Sequence, residues 1–156
     1  MRPGHSVVRW AAPGEGGQRV DDPVIEVERD GYTVSTDRSR LDLAAMHRFL
    51  GTSYRSPGLP FEVLTRAVAG WLCFGLYRGR EQAGFARVIT DRATFAYLCD
   101  VYVLEGHRGR GLGRWLMEVV AGHPSLQGLR RFVLVTRDAH GLYERYGFRP
   151  LAHPES

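Results

Sequence analysis

The segment Glu105-Gly106-His107-Arg108-Gly109-Arg110-Gly111-Leu112-Gly113-Arg114 gathers four glycines and three arginines in ten residues. Glycine lets the backbone adopt positive φ and approach a ligand closely. Free N–H groups at a helix start, backed by the helix dipole, attract an anion. Arginine adds forked donors that fit phosphate. Together these residue types describe a pyrophosphate site. The plain alternative is a tight turn with a Gly-rich helix start. The strand before it, the helix after it and the Arg cluster favour the anion site. The dinucleotide fingerprint G-x-G-x-x-G is excluded, because position 116 is Leu.

The elements that must hold this loop follow from the pattern around it. Strand 94–103, helix 111–121 and strand 132–136 read as a βαβ unit, which is nearly always right-handed. Ligands in such units sit beyond the carboxyl ends of the strands. Upstream, segments 24–28 and 32–35 flank Asp30-Gly31, a hairpin signal. Ser39 reads as a helix cap with Asp42 as its acidic partner. Leu43, Met46 and Leu50 then share a face, with Gly51 as the stop. Pro60 suits the start of a second helix with Phe61, Leu64 and Val68 facing inward. Strands are expected at 71–77 and 83–90. Asp138 can cap a last helix over 139–146, stopped by Gly147, and a final strand begins near Phe148. The fold class is α+β: a mixed, mostly antiparallel sheet with a central βαβ unit and flanking helices. Residues 1–22, rich in Gly, Pro and Arg, read as a flexible tail, and 23–156 as the single domain.

Composition narrows the chemistry. The chain of 156 residues suits one domain. All 21 basic residues are Arg, and the sequence holds neither Lys nor Asn. Walker A and Schiff-base chemistry, which need Lys, are therefore excluded. The net charge of +4 is modest and the arginines are scattered, which disfavours a nucleic-acid partner. Cys73 and Cys99 lie in apolar runs without metal-ligand spacing. They read as reduced, buried thiols, so no metal is expected and the cytoplasm is the expected location. No apolar run is long enough to span a bilayer, so no membrane partner is expected.

Arg108-Gly109-Arg110-Gly111-Leu112-Gly113 resembles the R/Q-x-x-G-x-G/A signature of the GNAT superfamily of acyl-CoA-dependent N-acyltransferases. Asp100-Val101-Tyr102-Val103 is similar to that family's fourth strand. Gly141-Leu142-Tyr143-Glu144-Arg145-Tyr146-Gly147-Phe148 resembles its second motif, L-Y-x-x-x-G-F. The likeness covers the chain from about residue 24 to 152.

The resemblance implies acetyl-CoA as co-substrate, lying between the fourth and fifth strands. The backbone of Val101, Tyr102 and Val103 would pair with the pantetheine arm. The amides of Gly109, Arg110, Gly111, Leu112, Gly113 and Arg114 would hold the pyrophosphate, and Arg108 or Arg110 would reach the outer phosphates. Tyr143 matches the family tyrosine that protonates the departing thiolate. Leu142 and Tyr146 at i, i+4 spacing would form the core face and turn Tyr143 away from it.

The implied reaction is direct attack of a primary amine, from a small molecule or peptide, on the thioester in a ternary complex. At pH 7 only about one part in 2,500 of an alkylamine is neutral, so a base helps. Asp100, in the middle of an apolar strand, is the first candidate. A carboxylate there is costly unless paired, so a structural partnership with a buried Arg or amide stands beside the catalytic role. By strict alternation Asp100 shares a face with Ala96, Leu98 and Tyr102, while Val101 and Val103 share one with Phe95, Tyr97 and Cys99. His140 is the rival base. His47 and His123 read as surface residues. Tyr54, Arg55, Phe85 and Tyr97 are candidates for the acceptor pocket, with Arg55 suited to a substrate carboxylate. The alternative function is a non-catalytic acyl-CoA-binding regulatory module on the same fold. Tyr143 and Asp100 favour the enzyme, since a pure binder needs neither. Homodimers are common in the family.

Overall fold

The computed structural model describes residues 5–9, 22–52, 57–136 and 140–150. Among these, one sheet has the strand order β2-β3-β4-β5-β6-β7-β1-β8. The strands are β1 (His5–Arg9), β2 (Glu26–Arg29), β3 (Tyr32–Ser35), β4 (Leu72–Arg78), β5 (Glu81–Thr90), β6 (Phe95–Val103), β7 (Arg131–Thr136) and β8 (Arg149–Pro150). The helices are α1 (Leu43–Thr52), α2 (Phe61–Gly70), α3 (Leu112–Gly122) and α4 (His140–Glu144). All pairings are antiparallel except β6 with β7, which α3 joins. The expected βαβ unit is therefore present within a mixed sheet. No helix among the described residues is long and apolar enough to cross a membrane.

Two cores lie on opposite faces. On one, α3 buries Leu112, Trp115, Leu116, Met117 and Val120 against Phe74, Leu76, Ala96, Leu98, Phe132 and Leu134. On the other, α1 and α2 bury Met46, Leu50, Leu64 and Val68 against Trp71, Cys73, Phe85 and Tyr102. The Asp30-Gly31 turn forms as the sequence predicts, with φ of 51° and 81° at the two residues.

Several local readings change. Residues 5–9, expected within a tail, pair with β7 and β8. Their pattern is too short to announce a strand, and the exposed edge of β7 supplies the reason to form one. Asp22 also belongs to the domain, accepting from Arg92 Nε at 2.7 Å and from Ser125 Oγ at 2.7 Å. Ser39 is not the cap of α1. Asp42 fills that role by accepting from Ala45 N–H at 2.9 Å, while Asp37 caps a 3-10 turn at Arg38–Arg40. Phe61, expected to face inward, is exposed and lies edge-on to His47, while Leu64 and Val68 of the same helix are buried. His123 is buried, not on the surface: its Nδ1 accepts from Ser125 N–H at 3.1 Å and its ring meets Phe74 edge-on.

Candidate active site

The site is built around an irregularity in β6. Arg87 of β5 pairs with Asp100 and Val88 with Leu98, so Cys99 is an extra residue, a β-bulge. One inserted residue reverses which face each following side chain occupies. Val101 and Val103 therefore pack with Ala96 and Leu98 on the α3 face, while Tyr102 packs with Phe85 on the α1/α2 face. The strict alternation expected from sequence puts Val101, Val103, Asp100 and Tyr102 on the wrong faces, because it has no place for the bulge.

The bulge also marks where β6 and β7 part. Their parallel pairing runs from Phe95↔Arg131 to Leu98↔Leu134 and stops there. Beyond it, residues 99–103 have β5 on one side and no strand among the described residues on the other. Leu104 N–H donates to Ala83 C=O at 2.8 Å, which makes that pair hydrogen-bonded. Antiparallel pairs alternate, so Tyr102/Phe85 and Asp100/Arg87 are bonded too. The N–H and C=O groups of Val101 and Val103 consequently face away from β5, into the gap. Of the three residues expected to pair with a ligand, Val101 and Val103 turn their main-chain groups to the open side. The main chain of Tyr102 is spent on β5, and its ring stacks on Phe49 with centroids 3.7 Å apart.

At the carboxyl end of this free edge the chain enters the Gly-rich loop. Gly109 and Gly111 sit at φ of 82° and 74°, Gly111 forming the left-handed N-cap of α3. Among the described residues nothing lies within 4 Å of where a Cβ would stand on Gly109, Gly111 or Gly113, so the loop is open above its backbone. Its two outer arginines differ. Arg108 folds back and donates through Nε to Val103 C=O at 2.8 Å, placing its guanidinium at the mouth of the gap. Arg110 lines a cleft of about 220 Å³ beside the β2–β3 turn, with Arg29, Tyr32 and Trp115. Arg108 is thus the arginine beside the open edge. The carbonyl of Arg114 accepts from Tyr146 Oη at 3.0 Å, tying the start of α3 to the turn after α4.

His107, which the sequence did not single out, fixes the turn before the loop. It is buried, with Nδ1 2.9 Å from Tyr32 Oη and Nε2 3.3 Å from Glu81 Oε1.

Tyr143 lies in α4, half-buried, with its ring edge-on to Phe148 at 6.1 Å. It leans on the α3-side core together with Tyr146, rather than turning away from it. The helix is only five residues long, so the expected i, i+4 face from Leu142 to Tyr146 never forms. His140 is the first residue of α4. Tyr54, Arg55 and Asp138 lie outside the described residues. Phe85 is fully buried and is a core residue, so it lines no open acceptor pocket.

Asp100 is ion-paired with Arg87, whose Nε donates to Asp100 Oδ2. The Arg87 guanidinium lies over the Trp71 ring, 4.0 Å from its centroid. Of the two roles open to Asp100, partner to a buried arginine is the one the geometry displays. Arg87 went unremarked in the sequence, although an arginine inside the apolar run Ala83–Ile89 was the available signal. Neighbouring groups are poor proton carriers. Burial pushes the Cys73 thiol up to about 12 and raises the Tyr102 phenol as well.

Comparison with known proteins agrees with this architecture. The acetyltransferase (GNAT) domain family matches residues 69–150. A Gibberella zeae protein that bears an acetyltransferase name is 37% identical over 138 residues, covering 74% of this chain and 77% of the relative. The crystal structure of a GNAT-family protein from Xanthomonas campestris pv. campestris is 51% identical, with a TM-score of 0.78 over 81% of this chain and 90% of that one. A GNAT acetyltransferase from Elizabethkingia anophelis, solved with acetyl-CoA bound, shares the fold at a TM-score of 0.56 and 17% identity, over 78% of each chain. With an open strand edge running into a glycine-arginine loop and a family match over more than half its length, the chain belongs to the GNAT acetyltransferase family.

Proposed function

We propose that the protein transfers an acetyl group from acetyl-CoA to a primary amine by direct attack in a ternary complex. The observation that carries this reading is the edge of β6 at 100–103, which faces no second strand among the described residues and leads into the Gly109–Arg114 loop. An extended thioester arm needs paired main-chain groups beside it, and Val101 and Val103 offer them. A pyrophosphate at the far end of that arm needs N–H groups and cations, and the start of α3 with Arg108 offers those. The acetyl-CoA-bound relative of the same fold supports the choice of co-substrate.

In the reaction the amine nitrogen attacks the thioester carbonyl, the C–S bond breaks, and the thiolate takes a proton. Tyr143, in the helix that follows β7, is our proton donor, since a phenol can donate and then recover its proton from solvent. Asp100 is held by Arg87, so its role is to bind and orient the incoming amine, which passes its proton to water.

Two measurements test the reading. Acetyl-CoA at about 100 times Kd stabilises a folded protein by roughly 2.7 kcal/mol, equivalent here to a midpoint rise of about 5–10 °C. A screen for free thiol over an amine panel then separates an enzyme from a regulatory binder. No thermal shift contradicts the coenzyme site. A shift without thiol release from any amine contradicts catalysis.

A further inference from the structure

The pair Arg87 and Asp100 has binding capacity that the fold does not use. The two stand directly across from one another on β5 and β6, beside Cys73 of β4. The row lies on the α1/α2 face, next to the bulge where the gap opens. Their side chains are 15% and 8% exposed. A guanidinium has five N–H donors. Among the described residues Arg87 uses only Nε, on Asp100 Oδ2, and its two Nη nitrogens donate to nothing. Asp100 Oδ1 likewise accepts no hydrogen bond there.

Taking two charges out of water is costly unless further hydrogen bonds satisfy the remaining donors and acceptors. This pair is half satisfied. Stacking on Trp71 at 4.0 Å and the Nε contact hold the guanidinium still, so its terminal fork is preorganised for a planar anion. Asp100 Oδ1 meanwhile presents negative charge beside the bulge. An acid and a base held side by side, each with an open valence, complement a zwitterion.

We propose that Arg87 and Asp100 form the acceptor receptor and that the acceptor is an amine carrying a carboxylate a few bonds away, as in a free amino acid. The carboxylate sits on the Nη fork of Arg87. The amine sits against Asp100 Oδ1, next to the open edge of β6. This rests on the acetyltransferase reading above, and it assigns that reading a substrate class.

The test compares the free L-amino acids with their carboxamides as matched acceptors, using thiol release from acetyl-CoA. At least one acid is expected to exceed its amide by tenfold or more in kcat/KM. In Arg87→Gln that ratio falls to near one, while the KM for acetyl-CoA moves less than twofold. Arg87→Lys, which keeps the charge without the fork, retains part of the preference. Amides or simple alkylamines that match the acids in the wild-type protein overturn the proposal. So does an Arg87→Gln variant that slows acid and amide equally, which is the behaviour of a purely structural pair. If the variant fails to fold, the wild-type acid-to-amide ratio decides alone. If no amine is turned over, the thermal shift produced by acetyl-CoA judges the coenzyme site separately. The receptor is then read from thermal shifts with L-phenylalanine and L-phenylalaninamide in the presence of CoA, where equal responses overturn it.

Discussion

The two halves of β6 have similar composition and opposite duties. Ala96–Leu98 is zipped on both edges, to β5 and to β7, and its main-chain groups are consumed by the sheet. Among the described residues Asp100–Val103 is zipped to β5 alone, and the main-chain groups of Val101 and Val103 are left unclaimed by the sheet. A single extra residue, Cys99, lies at the boundary between them. The contrast shows how a sheet becomes a binding site without special side chains. The strand stays rigid because β5 holds it, while its second edge is left for a ligand, in the manner of an added strand.

The contrast can be broken at several points. Proline is the sharpest tool, because it deletes one N–H. At Tyr102 it removes a ladder bond to Phe85 and a buried ring, whose loss alone costs about 3–5 kcal/mol, so Tyr102→Pro is expected to abolish cooperative folding in a thermal melt. At Val101 the deleted N–H faces the gap. Val101→Pro is expected to melt within a few degrees of wild type while its KM for acetyl-CoA rises at least tenfold. Equal melting of the two variants would erase the distinction between the edges.

In α4, Tyr143→Phe removes the proposed proton donor and leaves the ring contact with Phe148. A general acid contributes about 10²–10⁴-fold. The expected result is a fall of about 10²-fold in kcat, with the KM for acetyl-CoA within twofold. Unchanged turnover would take Tyr143 out of the mechanism. A smaller effect is expected at the mouth. Arg108→Ala loses the Nε contact to Val103 C=O and a cation beside the loop, and should raise the KM for acetyl-CoA about tenfold.

The smallest effect lies away from the gap. Burial holds the His123 imidazole below its ordinary value of 6.5, so the folded chain keeps it neutral. The unfolded chain binds a proton there near pH 6.5 and the folded chain only at lower pH. Stability is therefore full above about 6.5 and declines as pH falls below it, until the folded ring also titrates. His123→Gln, which keeps an acceptor for Ser125 N–H, should flatten that decline in unfolding midpoints measured from pH 7.5 to 5.5. It should leave acetyl-CoA binding unchanged.

Much of the fold was legible because hydrophobic pattern and turn residues agreed with the final packing. Asp30-Gly31, the βαβ unit and the Gly109–Gly113 loop all belong to this class. The bulge was not legible, because Cys99 continues an apolar run and nothing in composition marks an extra residue. The faces assigned to Asp100, Val101, Tyr102 and Val103 inherited that error. The partner of Asp100 was half legible: a carboxylate in an apolar strand demanded one, but only strand register identifies Arg87. β1 was missed because tertiary pairing with β7, rather than its own pattern, makes it a strand.

The most direct test of the account is amide hydrogen exchange across β6 with and without saturating acetyl-CoA, read residue by residue by NMR. The predicted result is slower exchange at Val101 and Val103 on binding. Asp100 and Tyr102, already bonded to β5, should change little. Binding of acetyl-CoA that leaves Val101 and Val103 exchanging at their free rates would contradict the open edge as the coenzyme site.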